Sequence, residues 1–333
     1  MNTANPAATD RSAPREHSQG PELPDARMHV AKPNAPIRAR VASTEICTNG
    51  KGRGKAASFV RHIAIDLTGT PLAGQFLPGQ SFGVIPPGLD ARGIPHKLRL
   101  YSVASPSAGE DGAGNVIATT VKRTIDEHEE THRLFLGVAS NYLCALQPGD
   151  PLEVTGPQGK RFLLPKRPDE HDYLFFATGT GIAPFRAMIK ELLARSVSSR
   201  ITLVMGAAYA TDLLYHRQLA ELSAKHPHFR YLTAISRERQ EDGAGPLYVQ
   251  DRLDTHASEL VPILESPRSL VYVCGVAGME LAIFQRLAAR LHPDALAGFL
   301  GIDPDVAGET ARWERRMLNK QVRPTRRVFL EVY

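Results

Sequence analysis

The feature that most constrains the fold is a change of rhythm at PKRPDEHD, residues 165–172. Upstream, from about 36 to 165, short β-branched or aromatic runs are divided by turn signals. The runs are SFVRHIAIDL, QSFGVIPP, LRLYSVAS, NVIATTVKR and DPLEVTGP; PGQ, PPGLD, QPGD and GPQGK punctuate them. Strands so spaced, with one helical stretch near SNYLCAL, predict an antiparallel barrel or sandwich. Downstream, the apolar strands YLFFAT, ITLVMG, FRYLTA, LVYVCG and RVFLEV alternate with helical patterns. Those helices are expected in PFRAMIKELLARS, DLLYHRQLAELSAK, YVQDRLDTHASELVPIL, GMELAIFQRLAARL and ETARWERRMLNK. Such alternation predicts a doubly wound, mainly parallel sheet. The expected fold class is two-domain β plus α/β, with a β domain over 36–166 and an α/β domain over 167–333.

Residues 1–35 have no apolar period and are rich in Ala, Pro and charge, so a disordered tail is expected there. That segment lacks the apolar centre of a signal peptide, and Asp10, Glu16, Glu22 and Asp25 are unlike a transit peptide. No apolar run approaches the roughly 20 residues that span a bilayer. Cys47, Cys144 and Cys274 are too few and scattered for a disulfide framework, an iron–sulfur cluster or a zinc site. A cytoplasmic location follows as the expectation. The net charge of +5 does not suggest nucleic-acid binding but suits an acidic protein partner. Lys51, Arg53, Lys55 and Arg61 form a basic run with no acid between them, where such a partner could be steered.

The chemistry-bearing motifs lie at strand ends. In ATGTGIAPF, Gly179 and Gly181 permit a sharp turn, and Pro184 suits the first helical turn. A strand before and a helix after make this a phosphate-binding site rather than a plain turn. Ser236 and Arg237 follow the third strand of the α/β domain, and Tyr248 and Gln250 come soon after. A cation and hydroxyls there favour the 2′-phosphate of NADP over the free ribose of NAD. Cys274 ends the fourth strand, between a buried small hydrophobe and a sulfur packed beside a reacting ring. RLYSVAS combines Arg99 for a pyrophosphate, Tyr101 for stacking and Ser102 for a ring heteroatom. Strand alternation puts Ser102 on the opposite face from Arg99 and Tyr101 unless the strand is twisted or bulged.

In this order, PHKLRLYSVAS, TVKR, GVASNYL, GDPLEVTGPQGK, ATGTGIAPFR, LLY, SRE, YVQ, CGVAGME and the final EVY resemble the plant-type ferredoxin–NADP reductase family over residues 36–333. The resemblance implies an antiparallel Greek-key β-barrel for FAD, then a doubly wound NADP-binding domain. It implies that Arg99, Tyr101 and Ser102 hold FAD, with Thr120, Val121, Lys122 and Gly137, Val138, Ala139, Ser140 lining its pyrophosphate and flavin. Lys122 and Thr180 would also meet NADP; Ser236, Arg237, Tyr248 and Gln250 would take its adenosine 2′-phosphate end. Gly275 and Val276 would lie beside the nicotinamide. Ser102, Cys274 and Glu331 would surround the reacting atoms, and Tyr333 would cover the flavin face that nicotinamide must reach. The implied partner is ferredoxin or flavodoxin, and the implied state a monomer.

Three departures stand out. Ala139 replaces a Cys in the family's GVCSN, Pro246 stands where a Lys is common, and Asp126 lies nearest the position of an adenine-stacking Tyr. His128 or His132 could hold the adenine instead. Two other readings keep the scaffold: a reductase dedicated to an oxygenase or epoxidase system, and a non-catalytic flavoprotein subunit.

Overall fold

The computed structural model describes residues 20–48 and 58–333. Its first sheet has six antiparallel strands in the order β4-β3-β8-β1-β2-β5. These are β1 (Ile37–Ile46), β2 (Val60–Asp66), β3 (Ser81–Val84), β4 (Arg99–Ser102), β5 (Val116–Lys122) and β8 (Pro151–Gln158). The two outer strands meet. Ala104 N donates to Ala118 O at 2.7 Å, and Thr119 Oγ1 donates to Ser102 O at 2.9 Å. The sheet thus curls into the expected barrel, around Ile63, Ile65, Phe82 and Val154. Helix α1 (Val138–Ala145) covers one end with Leu143 and Cys144. A small exposed hairpin, β6 (Ile125–Glu127) with β7 (Leu134–Leu136), precedes it and is not foreseen from the sequence.

The second sheet is wholly parallel, in the order β11-β10-β9-β12-β15. Its strands are β9 (Asp172–Thr178), β10 (Ile201–Ala207), β11 (Phe229–Ile235), β12 (Ser269–Gly275) and β15 (Val328–Val332). A central parallel strand is covered on both faces, which is why DYLFFAT is apolar almost throughout. Alternation then splits neighbours: Phe175 joins one core with Phe185 and Tyr272, and Phe176 the other with Phe284. Helices α2 (Ile182–Ala194) and α3 (His216–Lys225) cover the first face. Helices α4 (Arg252–Thr255), α5 (Ala257–Leu264) and α6 (Met279–Arg290) cover the second. The chain winds outward from β9 to β11, then returns to place β12 against the other side of β9. Strand order therefore reverses between β9 and β12, and their carboxyl ends open a crevice there.

Several expectations need correction. ETARWERRMLNK is not one helix but two 3-10 turns, Thr310–Arg312 and Arg315–Met317. Trp313 between them is extended and buried, its Nε1 donating to Val306 O, while Arg315 reaches out to Glu280. Tertiary partners outweigh the helical propensity of that run. The single helix expected over YVQDRLDTHASELVPIL breaks at His256 into α4 and α5. Helix α3 starts only at His216, because Tyr215 before it is left-handed. A second antiparallel pair, β13 (Leu300–Ile302) with β14 (Val322–Pro324), was also unforeseen.

The tail is the largest difference. Residues 20–35, expected to be disordered, lie extended against both sheets' domains. His29 N donates to Pro157 O, and Ala31 exchanges two 2.9 Å backbone bonds with Gly156. Arg27 bonds Gln75, Lys166 pairs with Glu22 at 2.6 Å, and a Cβ on Gly20 would collide with Arg326. Backbone pairing compensates for the weak apolar content on which the expectation rested. Of the basic run, Lys51, Arg53 and Lys55 lie outside the described residues. Arg61 sits on β2 and donates to Thr44 Oγ1 at 2.8 Å. No helix among the described residues is long and apolar enough to cross a membrane.

Candidate active site at the strand-order reversal

A cavity of about 690 Å³ opens at the carboxyl ends of β9, β10 and β12, walled on one side by the barrel. The barrel contributes Ser58, Val60 and Lys122; the parallel domain contributes Thr178, Gly179, Thr180, Ser236, Tyr248, Gln250, Val276 and Tyr333. Eight of the residues singled out in the sequence thus meet in one crevice: Lys122, Gly179, Thr180, Ser236, Tyr248, Gln250, Val276 and Tyr333. Two glycines let its floor close. A Cβ on Gly181 would stand 2.2 Å from Cys274 O, and one on Gly275 2.1 Å from Thr178 Oγ1. The first turn of α2 carries no acidic side chain and no side-chain cap, so its free N–H groups can receive an anion.

The closing strand joins the crevice to the barrel. Parallel register sets Glu331 beside Cys274, and the ladder continues as Tyr333 N donates to Gly275 O at 3.0 Å. Tyr333 is 63% exposed, yet its hydroxyl is tied to Thr180 Oγ1 at 2.7 Å. Burial pushes the Glu331 carboxyl up to about 7, with the Ser102 hydroxyl pulling the other way. Glu331 Oε2 is buried without a hydrogen-bond partner. Burial, then the neighbouring Glu331, holds the Cys274 thiol well above its ordinary value. Cys274 is therefore a neutral, fully buried group rather than a thiolate nucleophile.

The remaining predicted residues surround this centre. Arg99 is exposed on β4, and burial raises the Tyr101 phenol to about 12. The side chain of Val121 belongs to the barrel core and that of Thr120 is turned toward the second domain, so only their backbones face outward. Gly137, Val138, Ala139 and Ser140 form the entry to α1, where Ser140 Oγ accepts from Thr124 N at 3.2 Å. Arg237 does not line the crevice; its guanidinium lies 5.8 Å from the Tyr209 ring centroid. His128 and His132 are both engaged within the β6–β7 hairpin: His132 pairs with Glu127 at 2.8 Å, and His128 Nδ1 receives Glu130 N. Sequence reasoning did not find Tyr215, His62, Arg186 or Glu110, which form a buried polar seam between the domains. The motifs LLY and ATGTGIAPFR end on two of its members, Tyr215 and Arg186, without showing that they meet.

The donor set fits a flavin and a nicotinamide dinucleotide. A helix N-terminus and Lys122 face one crevice, and the Glu331 carboxyl, close to Ser102 of the barrel, keeps Oε2 buried and unpaired. A curled antiparallel sheet beside a parallel sheet, with such a crevice between them, defines a dinucleotide-dependent oxidoreductase.

Comparison with known proteins narrows this class. The family described as the oxidoreductase NAD-binding domain matches residues 175–284. The chain is 38% identical to a ferredoxin–NADP reductase of Thermosynechococcus vestitus, covering 86% of this chain and 73% of the relative. It is 37% identical to the ferredoxin–NADP reductase of Spirulina sp, covering 80% and 90%. It is 35% identical to a chloroplastic root isozyme of Oryza sativa subsp. japonica, covering 76% and 68%. The solved ferredoxin–NADP+ reductase of Plasmodium falciparum shares the fold with a TM-score of 0.64 at 21% identity, covering 91% of this chain and 98% of that one. The chain belongs to the ferredoxin–NADP reductase family.

Proposed function

We infer that this chain is a FAD-dependent ferredoxin–NADP(+) reductase, moving hydride between NADP(H) and FAD and single electrons between FAD and ferredoxin. When bound, FAD supplies the exchange between two-electron and one-electron chemistry. The protein orients and shields. The observation that carries the reading is the crevice at the strand-order reversal, joined to the barrel by Ser102, Glu331 and Cys274.

In this reading Arg99, Tyr101 and Ser102 hold FAD, and the backbones of Thr120, Val121 and Gly137, Val138, Ala139, Ser140 line its pyrophosphate side. Lys122, Thr180 and the first turn of α2 receive the nucleotide pyrophosphate. Ser236, Tyr248 and Gln250 take the adenosine end, with Arg237 swinging from Tyr209 to a 2′-phosphate. Gly275 and Val276 leave room for the nicotinamide, and buried Cys274 sets its distance. Glu331, with a value near neutrality, holds or releases a proton at Oε2 toward Ser102 Oγ. Tyr333, held in the crevice by Thr180, would cover the flavin in this reading and would have to move for nicotinamide to enter. Flavodoxin as a second carrier, a monomeric state and a cytoplasmic location complete the proposal; the net charge of +5 supports an acidic carrier.

The test is the visible spectrum of the purified protein. A flavin spectrum bleached by NADPH and not by NADH, with onward reduction of ferredoxin, is expected. Bleaching by NADH alone, or a colourless protein that gains no FAD, would refute the reading.

A further inference from the structure

The seam between the domains is a buried polar cluster that the reading above does not use. Tyr215 stands between β10 and α3 with φ of +57°, a region that side chains other than glycine seldom occupy. Such a conformation persists where the surroundings over-determine it. Its hydroxyl lies 2.6 Å from Thr120 Oγ1 on β5 and 2.9 Å from His62 Nδ1 on β2. A phenol both donates and accepts, so one group satisfies two residues of the other domain. The Arg186 guanidinium lies 5.0 Å from the Tyr215 ring centroid. Arg186 also pairs with Glu110 at 2.5 Å and donates to Ala104 O at 2.7 Å, both across the seam.

Register connects this cluster to the crevice. His62 and Thr120 are cross-strand partners, and the next pair on the same face is Val60 with Lys122. Val60 and Lys122 line the crevice, as does Leu214, the residue before Tyr215. On the other side, Arg186 belongs to α2, whose first turn follows the Gly179–Gly181 loop. The hydroxyl therefore spans from the segment behind one crevice wall to the strand face that forms the opposite wall.

We propose that Tyr215 is a positioning residue for hydride transfer: it sets the separation between the barrel face that carries Lys122 and the nucleotide loop at Thr180. The proposal rests on the reading of the crevice as the place where NADP meets FAD. The rate of a positioned reaction is sensitive to displacements near 1 Å, so loss of this contact acts on the chemical step.

Tyr215→Phe keeps the ring and removes both bonds. In FAD-loaded protein, single-turnover flavin reduction by NADPH should slow about tenfold or more. The loss should fall in the limiting rate rather than in the Kd for NADPH, with flavin content and spectrum unchanged. Thr120→Val, which removes one of the two bonds, should slow the step by no more than Tyr215→Phe, and the double variant should be no slower than Tyr215→Phe, because that variant already lacks the Thr120 bond. An unchanged limiting rate in Tyr215→Phe overturns the proposal, as do losses that multiply in the double variant. Should Tyr215→Phe fail to fold, an unchanged rate in Thr120→Val overturns it alone. Wild-type protein whose flavin NADPH does not reduce would instead overturn the reading of the crevice.

Discussion

Replacing Glu331 by Gln tests the closing strand through stability as well as rate. The Glu331 carboxyl is raised from an ordinary 4.5 to about 7, chiefly by burial. Between those values the folded chain keeps a proton that the unfolded chain has released. The stability associated with this group is therefore complete below pH 4.5 and is lost as pH rises through 7. At about 1.36 kcal/mol per pH unit, the loss amounts to about 3 kcal/mol. Gln keeps the shape of the side chain and cannot titrate. The unfolding free energy of Glu331→Gln, measured against wild type in urea, should therefore gain about 3 kcal/mol between pH 4.5 and 8. Most of the gain should appear before pH 7. Stopped-flow reduction by NADPH supplies the second readout: the wild-type pH profile should bend near 7, and that of the variant should not. A stability difference that stays constant with pH, together with an unchanged rate profile, would refute both the burial argument and the proton-holding role.

Three further outcomes can be measured. His62 is pushed down to about 4 by burial, then by Arg186, so its neutral form stabilises the fold above pH 6.5 and that contribution is lost as pH falls toward 4. His62→Gln should reduce the slope of unfolding free energy against pH in that window; an unaltered slope would count against the buried neutral ring. Tyr333→Ser frees Thr180 and opens the crevice, so NADP+ should bind more tightly and ferredoxin-linked turnover should slow. Equal affinity by difference spectroscopy would remove Tyr333 from nucleotide release. Gly181→Ala forces a methyl against Cys274 O, where two backbones meet, and should cost about 1–3 kcal/mol in urea unfolding. Wild-type stability in that variant would show that the close approach is not required.

Much of this architecture could be read from local pattern because each domain's strands bury different faces. YLFFAT is apolar on both faces, as a covered parallel strand must be, and the Gly and Pro spacing upstream marks short antiparallel turns. The crevice residues were equally accessible, since Thr180, Ser236 and Val276 follow strands whose carboxyl ends converge by topology. What escaped depends on partners distant in sequence. The run around Trp313 has helical propensity, but Trp313 packs inward and Arg315 reaches Glu280, so contact decides against periodicity. Tyr215 reads as one more apolar residue in LLY, and nothing local shows that its hydroxyl would find His62 and Thr120. Arg237 was foreseen by type, while its resting place against the Tyr209 ring was not.

The extended segment over residues 20–31 bears on how the molecule is completed during synthesis. Its nearer part, at His29 and Ala31, can pair with Gly156 and Pro157 as soon as the barrel exists. Glu22 must wait for Lys166, and Gly20 for Arg326, which follows β14 of the second domain. Domains form in order as a chain is made, so this segment should zip from residue 31 back toward residue 20 as its receptors appear. A protease attacking the peptide near Gly20 would then distinguish finished molecules from those whose second domain is still incomplete.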